Sequence, residues 1–196
     1  MKNTVITICR EYGAEGHEIG KQLSERLGIP LYDKDLLAMA ARESCLHRDD
    51  AAAVDEQIPG RTFYSLEDRK KEVMQAQLFQ KETEIIKRLA ETESCIIIGR
   101  LADYILRERP GCLKVFIRAD MRIRTEVICR KRGCSLEEAK KMIRKMDQAR
   151  NNFYQYYTGG KWSHATGKDL ILDRGSFGVE GCVRLLECAV KEMDGI

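Results

Sequence analysis

The sequence predicts an α/β protein, a three-layer α/β/α domain built on a parallel sheet of about five strands. Three observations carry this. Short, almost wholly apolar runs recur along the chain, and each is followed by a longer segment whose apolar residues fall at helical spacing. Unbroken apolar runs suit strands covered on both faces, as in parallel sheets. With 196 residues, 43% of them hydrophobic, the chain can fill one domain core.

Taken in order, Thr4–Ile8 reads as the first strand. Ile19, Leu23 and Leu27 then recur every fourth residue, so a helix follows, closed by Gly28 and Pro30. Ile29–Tyr32 is a short extended piece, and Asp33 can cap the next helix, which carries Leu36, Leu37 and Ala40. From Cys45 to about Lys71 the pattern is less regular, charged and broken by Pro59-Gly60, and reads as an insertion within one domain. Leu78, Ile85, Ile86 and Leu89 mark another helix. Cys95–Ile98 is a strand that runs directly into Gly99-Arg100. Leu113–Ile117 is the next, leading to Asp120 as a cap and a helix with Ile123, Val127 and Ile128 that Gly133 stops. Ser135 and Glu138 have capping-box spacing. Leu170–Leu172 is the last strand, and Val179, Val183, Leu186, Val190 and Met193 form the stripe of a closing helix. Ligands of such sheets bind beyond the carboxyl ends of the strands. That rule points to the turn after Ile8, to Gly99-Arg100, and to Arg118–Asp120.

Charge narrows the partners. Charged residues make up 33% of the chain, but the formal net charge is only +3, so neither a membrane nor a nucleic-acid partner is expected. The balance is uneven: Arg118 to Arg150 holds eleven Lys/Arg against five Asp/Glu. That stretch is either a solvated helix pair or a basic face for a polyanion such as a nucleotide. No signal peptide or membrane-length apolar run occurs, and a cytoplasmic protein is expected. The eight cysteines include no CxxC pair and lie mostly in apolar runs, where a reduced thiol packs as a small hydrophobe; no metal site is expected.

The chemistry concentrates after the first strand, in Cys9-Arg-Glu-Tyr-Gly-Ala-Glu-Gly-His-Glu-Ile-Gly20. A glycine-bearing turn that opens a helix at a strand's end converges backbone N–H groups on an anion, and the helix dipole adds to their pull. The standard phosphate-loop pattern, GxxxxGK[ST], is absent. Laid on that pattern, Arg10 takes the first glycine's slot, Glu15 the second's, Gly16 the lysine's, and His17 or Glu18 the hydroxyl's. Lys21 lies a turn too far on. Arg10, Gly13, Ala14, Glu15, Gly16, His17 and Glu18 are therefore the candidate phosphate-binding residues, with Arg10 or His17 supplying charge. The competing interpretation is a glycine turn that merely joins strand to helix.

Ile6–Gly20 followed by Leu27-Gly-Ile-Pro-Leu-Tyr-Asp-Lys-Asp-Leu36 resembles the opening of cytidylate kinase-like proteins of bacteria. Ile97–Ile105 resembles that family's central segment. Asp147–Arg150, Tyr156–Gly159 and Gly178–Val183 resemble its C-terminal part. The resemblance spans nearly the whole chain and includes the altered phosphate loop. It implies a P-loop NTPase-like fold of the nucleoside monophosphate kinase type, with an NMP-binding insertion at about 42–75 and a lid at about 134–166. It further implies that Asp33 lies near the acceptor nucleotide and that Arg100, in Gly99-Arg100, contacts the acceptor phosphate. Leu101 departs from the family's Gly-Arg-Asp, and Asp103 is the residue available to substitute.

Arg144, Asp147 and Arg150 are three apart in the lid-like region and form a row on a helix. They are the candidate catalytic residues, with the aspartate orienting two arginines toward a transferring phosphate; otherwise they form a surface ion-pair row. Tyr154, Tyr156, Tyr157 and Trp162 are expected to pack the lid against the core. His17, His47 and His164 show no ligand spacing. The leading expectation is transfer of the γ-phosphate of ATP, with Mg²⁺, to a nucleoside monophosphate or similar small acceptor. The alternative is a nucleotide-binding module without catalysis, which the missing lysine favours. Nucleic-acid binding through Arg118–Arg150 has no supporting motif.

Overall fold

The computed structural model describes residues 3–44, 66–162 and 167–194. The elements, in chain order, are β1 (Val5–Arg10), α1 (Gly16–Leu27), β2 (Leu31–Tyr32), α2 (Lys34–Glu43), α3 (Leu66–Thr92) and β3 (Cys95–Ile98). They continue with α4 (Ala102–Ile105), β4 (Cys112–Arg118), α5 (Met121–Arg132), α6 (Leu136–Thr158), β5 (Leu170–Asp173) and α7 (Arg174–Asp194). The five strands form one sheet in the order β2-β3-β1-β4-β5, and every pairing is parallel. β1 is central, with Ile8 opposite Ile98 on one side and Val115 on the other. Chain order reverses about β1, so the crevice beyond its carboxyl end is where this topology places a ligand.

Strand periodicity divides the core. Val5 packs with Leu36, Ile85, Ile86, Leu89 and Ile97 under α2 and α3. Ile6 and Ile8 point the other way and pack with Ile19, Leu23, Val183 and Leu186 of α1 and α7. Alternate residues of one strand thus serve two layers. Two smaller clusters sit at the carboxyl end of the sheet. Cys9, Leu101, Phe116, Phe153, Tyr154 and Trp162 form one, while Ile128, Ala139 and Ile143 join α5 to α6.

Local signals act largely as the sequence predicts. Gly28, Gly133 and Gly159 end their helices in the left-handed conformation. Asp120 accepts a hydrogen bond from the Arg122 amide, and Ser135 and Glu138 form the full capping box. Asp33 is a correction: it stands at the N-cap of α2, but its side chain caps nothing and turns to the cavity described below. The segment expected as an insertion, 42–75, is helical at both edges. Residues 42–44 end α2, and 66–75 belong to a 27-residue helix continuous with the Leu78–Leu89 stripe. Its first turns are rich in Lys, Glu and Gln, strong helix formers that need no apolar stripe to begin a helix. The rest of that expectation, 45–65, lies outside the described residues, as do His47 and His164. The lid-like segment is mainly one helix, α6. α7 is interrupted at Gly178, and the expected closing stripe lies on the part after it. Among the described residues no helix is long and apolar enough to cross a membrane.

Candidate functional site

The site begins where β1 ends. Cys9 and Arg10 are consecutive, so their side chains leave opposite faces of the sheet. Beyond them the Glu11 amide still pairs with the Ile117 carbonyl at 3.0 Å, and Ala14 N–H closes a turn onto the Glu11 carbonyl at 3.2 Å. Gly13 then takes φ +87° and Glu15 φ +57°, which brings the chain into α1. A non-glycine residue in that region costs about 1–2 kcal/mol. Glu15 is held there by charge. Its side chain is almost buried, pairs with Arg174, and lies 3.6 Å from both Arg130 and Lys131.

A cavity of about 640 Å³ opens over this turn. Arg10, Gly13, Glu15, Gly16 and His17 contribute from the loop, Asp33 from the β2–α2 junction, Lys131 and Arg132 from α5, and Arg150 from α6. Arg10 lies in a slot between two glycines. A Cβ on Gly16 would come within 2.6 Å of the Arg10 Cβ, and one on Gly99 within 2.1 Å of its Nη1. Gly16 therefore serves less as the missing lysine's substitute than as room for an arginine. Asp33 lies 3.9 Å from Arg10 and 2.7 Å from His17 Nδ1, so it holds two cavity residues at once. Arg150 donates to the Arg10 carbonyl at 2.9 Å, its guanidinium 5.8 Å from the Tyr12 ring centroid.

Seven of the residues expected from sequence thus share one cavity: Arg10, Gly13, Glu15, Gly16, His17, Asp33 and Arg150. Four do not. Ala14 is buried in the core beneath the loop. Glu18 turns along α1 to accept from Gln22 at 2.9 Å. Arg144 is exposed on α6 and lines none of this space. Asp103 is buried behind the opposite face.

The expected Arg144–Asp147–Arg150 row is also corrected. Asp147 accepts from the Tyr12 amide at 2.8 Å with one oxygen and from Arg124 Nη1 at 2.5 Å with the other. Arg124 is 6% exposed and also approaches Glu11 at 3.5 Å. A buried guanidinium requires a carboxylate far more than exposed helix neighbours do, so Arg124 takes Asp147 from the row. The result ties α6 to the turn after β1 through α5. The role of Arg124 is not legible locally, because its ionic partners are 113 and 23 positions away. Its one sequence signal is a charge placed between the apolar residues Ile123 and Val127–Ile128.

A narrower cleft, lined by Cys9, Arg10, Gly99, Arg100, Leu101 and Arg150, adjoins the cavity. Gly99, Arg100 and Leu101 all take positive φ, an unusual run that turns the chain sharply out of β3. Arg100 is buried and pairs with Glu82 of α3 at 3.2 Å. Asp103, in α4, is instead the centre of a closed node. It pairs with Lys168, accepts from the Tyr154 hydroxyl at 3.1 Å, and lies 3.3 Å from Cys9 Sγ; the Lys168 and Asp103 side chains are each 1% exposed. Burial, followed by the charge of Asp103, pushes the Cys9 thiol up and raises the Tyr154 phenol to about 12. Burial alone would lower Lys168, but its acidic neighbours Cys9 and Asp103 hold it above the ordinary lysine value. Tyr154, Tyr157 and Trp162 pack as expected, Trp162 meeting Phe116 with ring centroids 5.2 Å apart and Tyr157 meeting Phe79 at 3.9 Å, whereas Tyr156 is exposed instead of packed against the core. The seven described cysteines are all free thiols.

The family model described as the cytidylate kinase-like family matches residues 5–176. Cytidylate kinase of Methanothrix thermoacetophila is 24% identical over 190 residues, covering 96% of this chain and 99% of that one. Among solved structures, an uncharacterized protein from Eubacterium ventriosum superposes with a TM-score of 0.75 at 24% identity, over 96% of this chain and 99% of the other. Shikimate kinase from Bacteroides thetaiotaomicron gives 0.56 at 16% identity, over 96% and 98%. At these identities the structural likenesses establish the P-loop kinase fold, in agreement with the five-stranded parallel sheet. The sequence match establishes more: the chain belongs to the cytidylate kinase-like family.

Proposed function

We propose that the chain is an ATP-dependent phosphotransferase that passes the γ-phosphate of ATP to a nucleoside monophosphate or similar small acceptor. One observation carries this reading: Arg10, Lys131, Arg132 and Arg150, from three separate elements, converge with the glycine turn on one cavity at the carboxyl end of β1. Phosphoryl transfer asks mainly for positioning and for neutralising the charge on the phosphate oxygens. An acceptor oxygen forms a bond to the γ-phosphorus as the bond to the β–γ bridging oxygen breaks, ADP leaves, and the acceptor's proton passes to solvent or to phosphate. No strong base is required.

In this reading the turn from Tyr12 to Gly16 and Arg10 hold the donor phosphates. Arg150, fixed against the β1 backbone, sits over the transferring group. Asp33 faces the acceptor beside Arg10, and Arg100, buried against Glu82 in the adjoining cleft, reaches the acceptor phosphate only by exchanging that partner. The Asp103 carboxylate is consumed by Lys168 and Tyr154, so that residue shapes the wall of the site rather than contacting the acceptor. Asp147 and Arg124 are positioning residues that fix the Tyr12 amide. Magnesium would neutralise charge on the phosphate oxygens. Glu11, Glu15 and Asp33 are each already engaged by cations or amides, so the residues fit a metal carried by the phosphates rather than a protein-built metal site.

Glu15 in a glycine's slot, with no lysine beside it, favours the second reading of a nucleotide-binding module without turnover. An ADP-release screen with ATP, Mg²⁺ and a panel of nucleoside monophosphates separates the two. Release that depends on one acceptor is the expected result. Tight nucleotide binding by calorimetry without ADP release over the whole panel would establish the module instead.

A further inference from the structure

Glu15 places a carboxylate where a phosphate loop receives anions. It lines the cavity together with Lys131, yet its two oxygens are held differently. Oε2 pairs directly with Arg174, which stands behind the loop at the β5–α7 junction and is 20% exposed. Oε1 lies 3.6 Å from both Arg130 Nη2 and Lys131 Nζ, close enough for attraction but outside hydrogen-bond distance. Those two side chains are 71% and 52% exposed and stem from the last turn of α5. Arg132, the next residue, lines the same cavity and has no ion-pair partner among the described residues.

We propose that Arg130 and Lys131 form a polyphosphate subsite which the Glu15 carboxylate occupies in the free chain, and that Glu15 is a built-in competitor which the ligand must displace. This rests on reading the loop as the donor-phosphate site. Arg174 keeps Glu15 anchored while the two loosely held cations turn to the ligand, so the carboxylate need not leave its pocket. A chain of phosphates carries more charge than one carboxylate and can span both cations at once, so it displaces the carboxylate more readily than an isolated phosphate does. The arrangement therefore selects polyphosphate chains over inorganic phosphate.

Calorimetry with inorganic tripolyphosphate tests this on the full chain, without turnover. Glu15→Gln keeps the side-chain shape and should bind about tenfold more tightly than the unmodified chain. The pair Arg130→Gln/Lys131→Met should bind about tenfold more weakly. In the triple variant the gain from Glu15→Gln should vanish, because neither loosely held cation remains and Arg174 stands behind the loop. Equal or weaker binding by Glu15→Gln overturns the proposal. So does a gain that persists in the triple variant, which would be general charge relief. Should Glu15→Gln fail to fold, the Arg130/Lys131 pair decides alone, since both side chains are largely exposed; unchanged binding in that variant overturns the proposal. Inorganic phosphate should bind weakly to the unmodified chain, and equal affinity for phosphate and tripolyphosphate also overturns it. The outcome is separable from the transferase reading. Tighter tripolyphosphate binding without ADP release sustains the competitor and sinks catalysis, whereas ADP release with no gain in Glu15→Gln does the reverse.

Discussion

Cys9 and Arg10 are neighbours in one strand, yet they open onto two different kinds of charged site. On the Cys9 side, Asp103, Lys168 and Tyr154 are closed off from water and bonded to one another. On the Arg10 side, Asp33 and Glu15 hold several cations at 3.6–3.9 Å around a cavity of about 640 Å³. The first arrangement leaves no charge to offer a ligand, and removing one partner strands the other in the core. The second keeps Arg10, Arg130 and Lys131 spread and loosely held, which suits their transfer to a polyanion. Burial and perturbed titration therefore mark the structural node here, while loose pairing around open volume marks the candidate site.

The sharpest way to break this contrast is to cut the closed node. Lys168→Met or Asp103→Asn should lower unfolding stability by about 3–5 kcal/mol in guanidinium titrations, because each leaves a buried charge or polar group unmatched. The double variant should recover most of that loss. Retained stability with lost turnover in Asp103→Asn would move that residue from the scaffold into the site.

On the open side the expected effect is on rate. Arg150→Ala should reduce turnover about 10²–10³-fold while weakening nucleotide binding less than about tenfold, as for a group that acts mainly in the transition state. Equal losses in both would reduce Arg150 to a binding residue.

A smaller effect is the pH dependence of stability, to which the closed node contributes through Tyr154. Burial is the leading cause that raises the Cys112 thiol to about 11, and the Cys95 thiol and the Tyr32, Tyr154 and Tyr157 phenols to about 12. Each group binds its proton more tightly folded than unfolded. Their contribution is thus fully present below the unfolded values, about 8.5 for thiols and about 10 for phenols, and is lost as pH rises through the folded values. Denaturation midpoints should fall steadily above about pH 9. Tyr154→Phe should flatten that fall, and a slope that it leaves unchanged would remove Tyr154 from the closed node's titration. The smallest expected change is Ser135→Ala, which should cost about 1 kcal/mol through loss of the α6 cap without altering the affinity for tripolyphosphate.

Much of the candidate site was legible because its members sit near local signals. Arg10, Gly13, Gly16 and His17 follow a strand and open a helix, and Asp33 follows the next strand. Arg150 was legible only as part of a helical row, and the structure keeps the residue while dissolving the row. Asp103 illustrates the limit. An aspartate just past Gly99-Arg100 looks available to a ligand until Lys168, 65 positions later, is seen to claim it. Lys131 and Arg132 were part of a basic stretch that local sequence left open between solvated surface and ligand-facing charge.

The order of strands and helices, the caps, the two-layer alternation of β1 and the glycine turn after it were determined by the sequence alone, because each depends on residues within about one turn or one strand of each other. Only the tertiary structure decided which charges are available. Whether Asp147 serves Arg144 or Arg124, and whether Asp103 faces a ligand or a lysine, depends on which distant charges are buried together. A buried ion takes the partner that relieves its desolvation, however far away in the chain that partner lies.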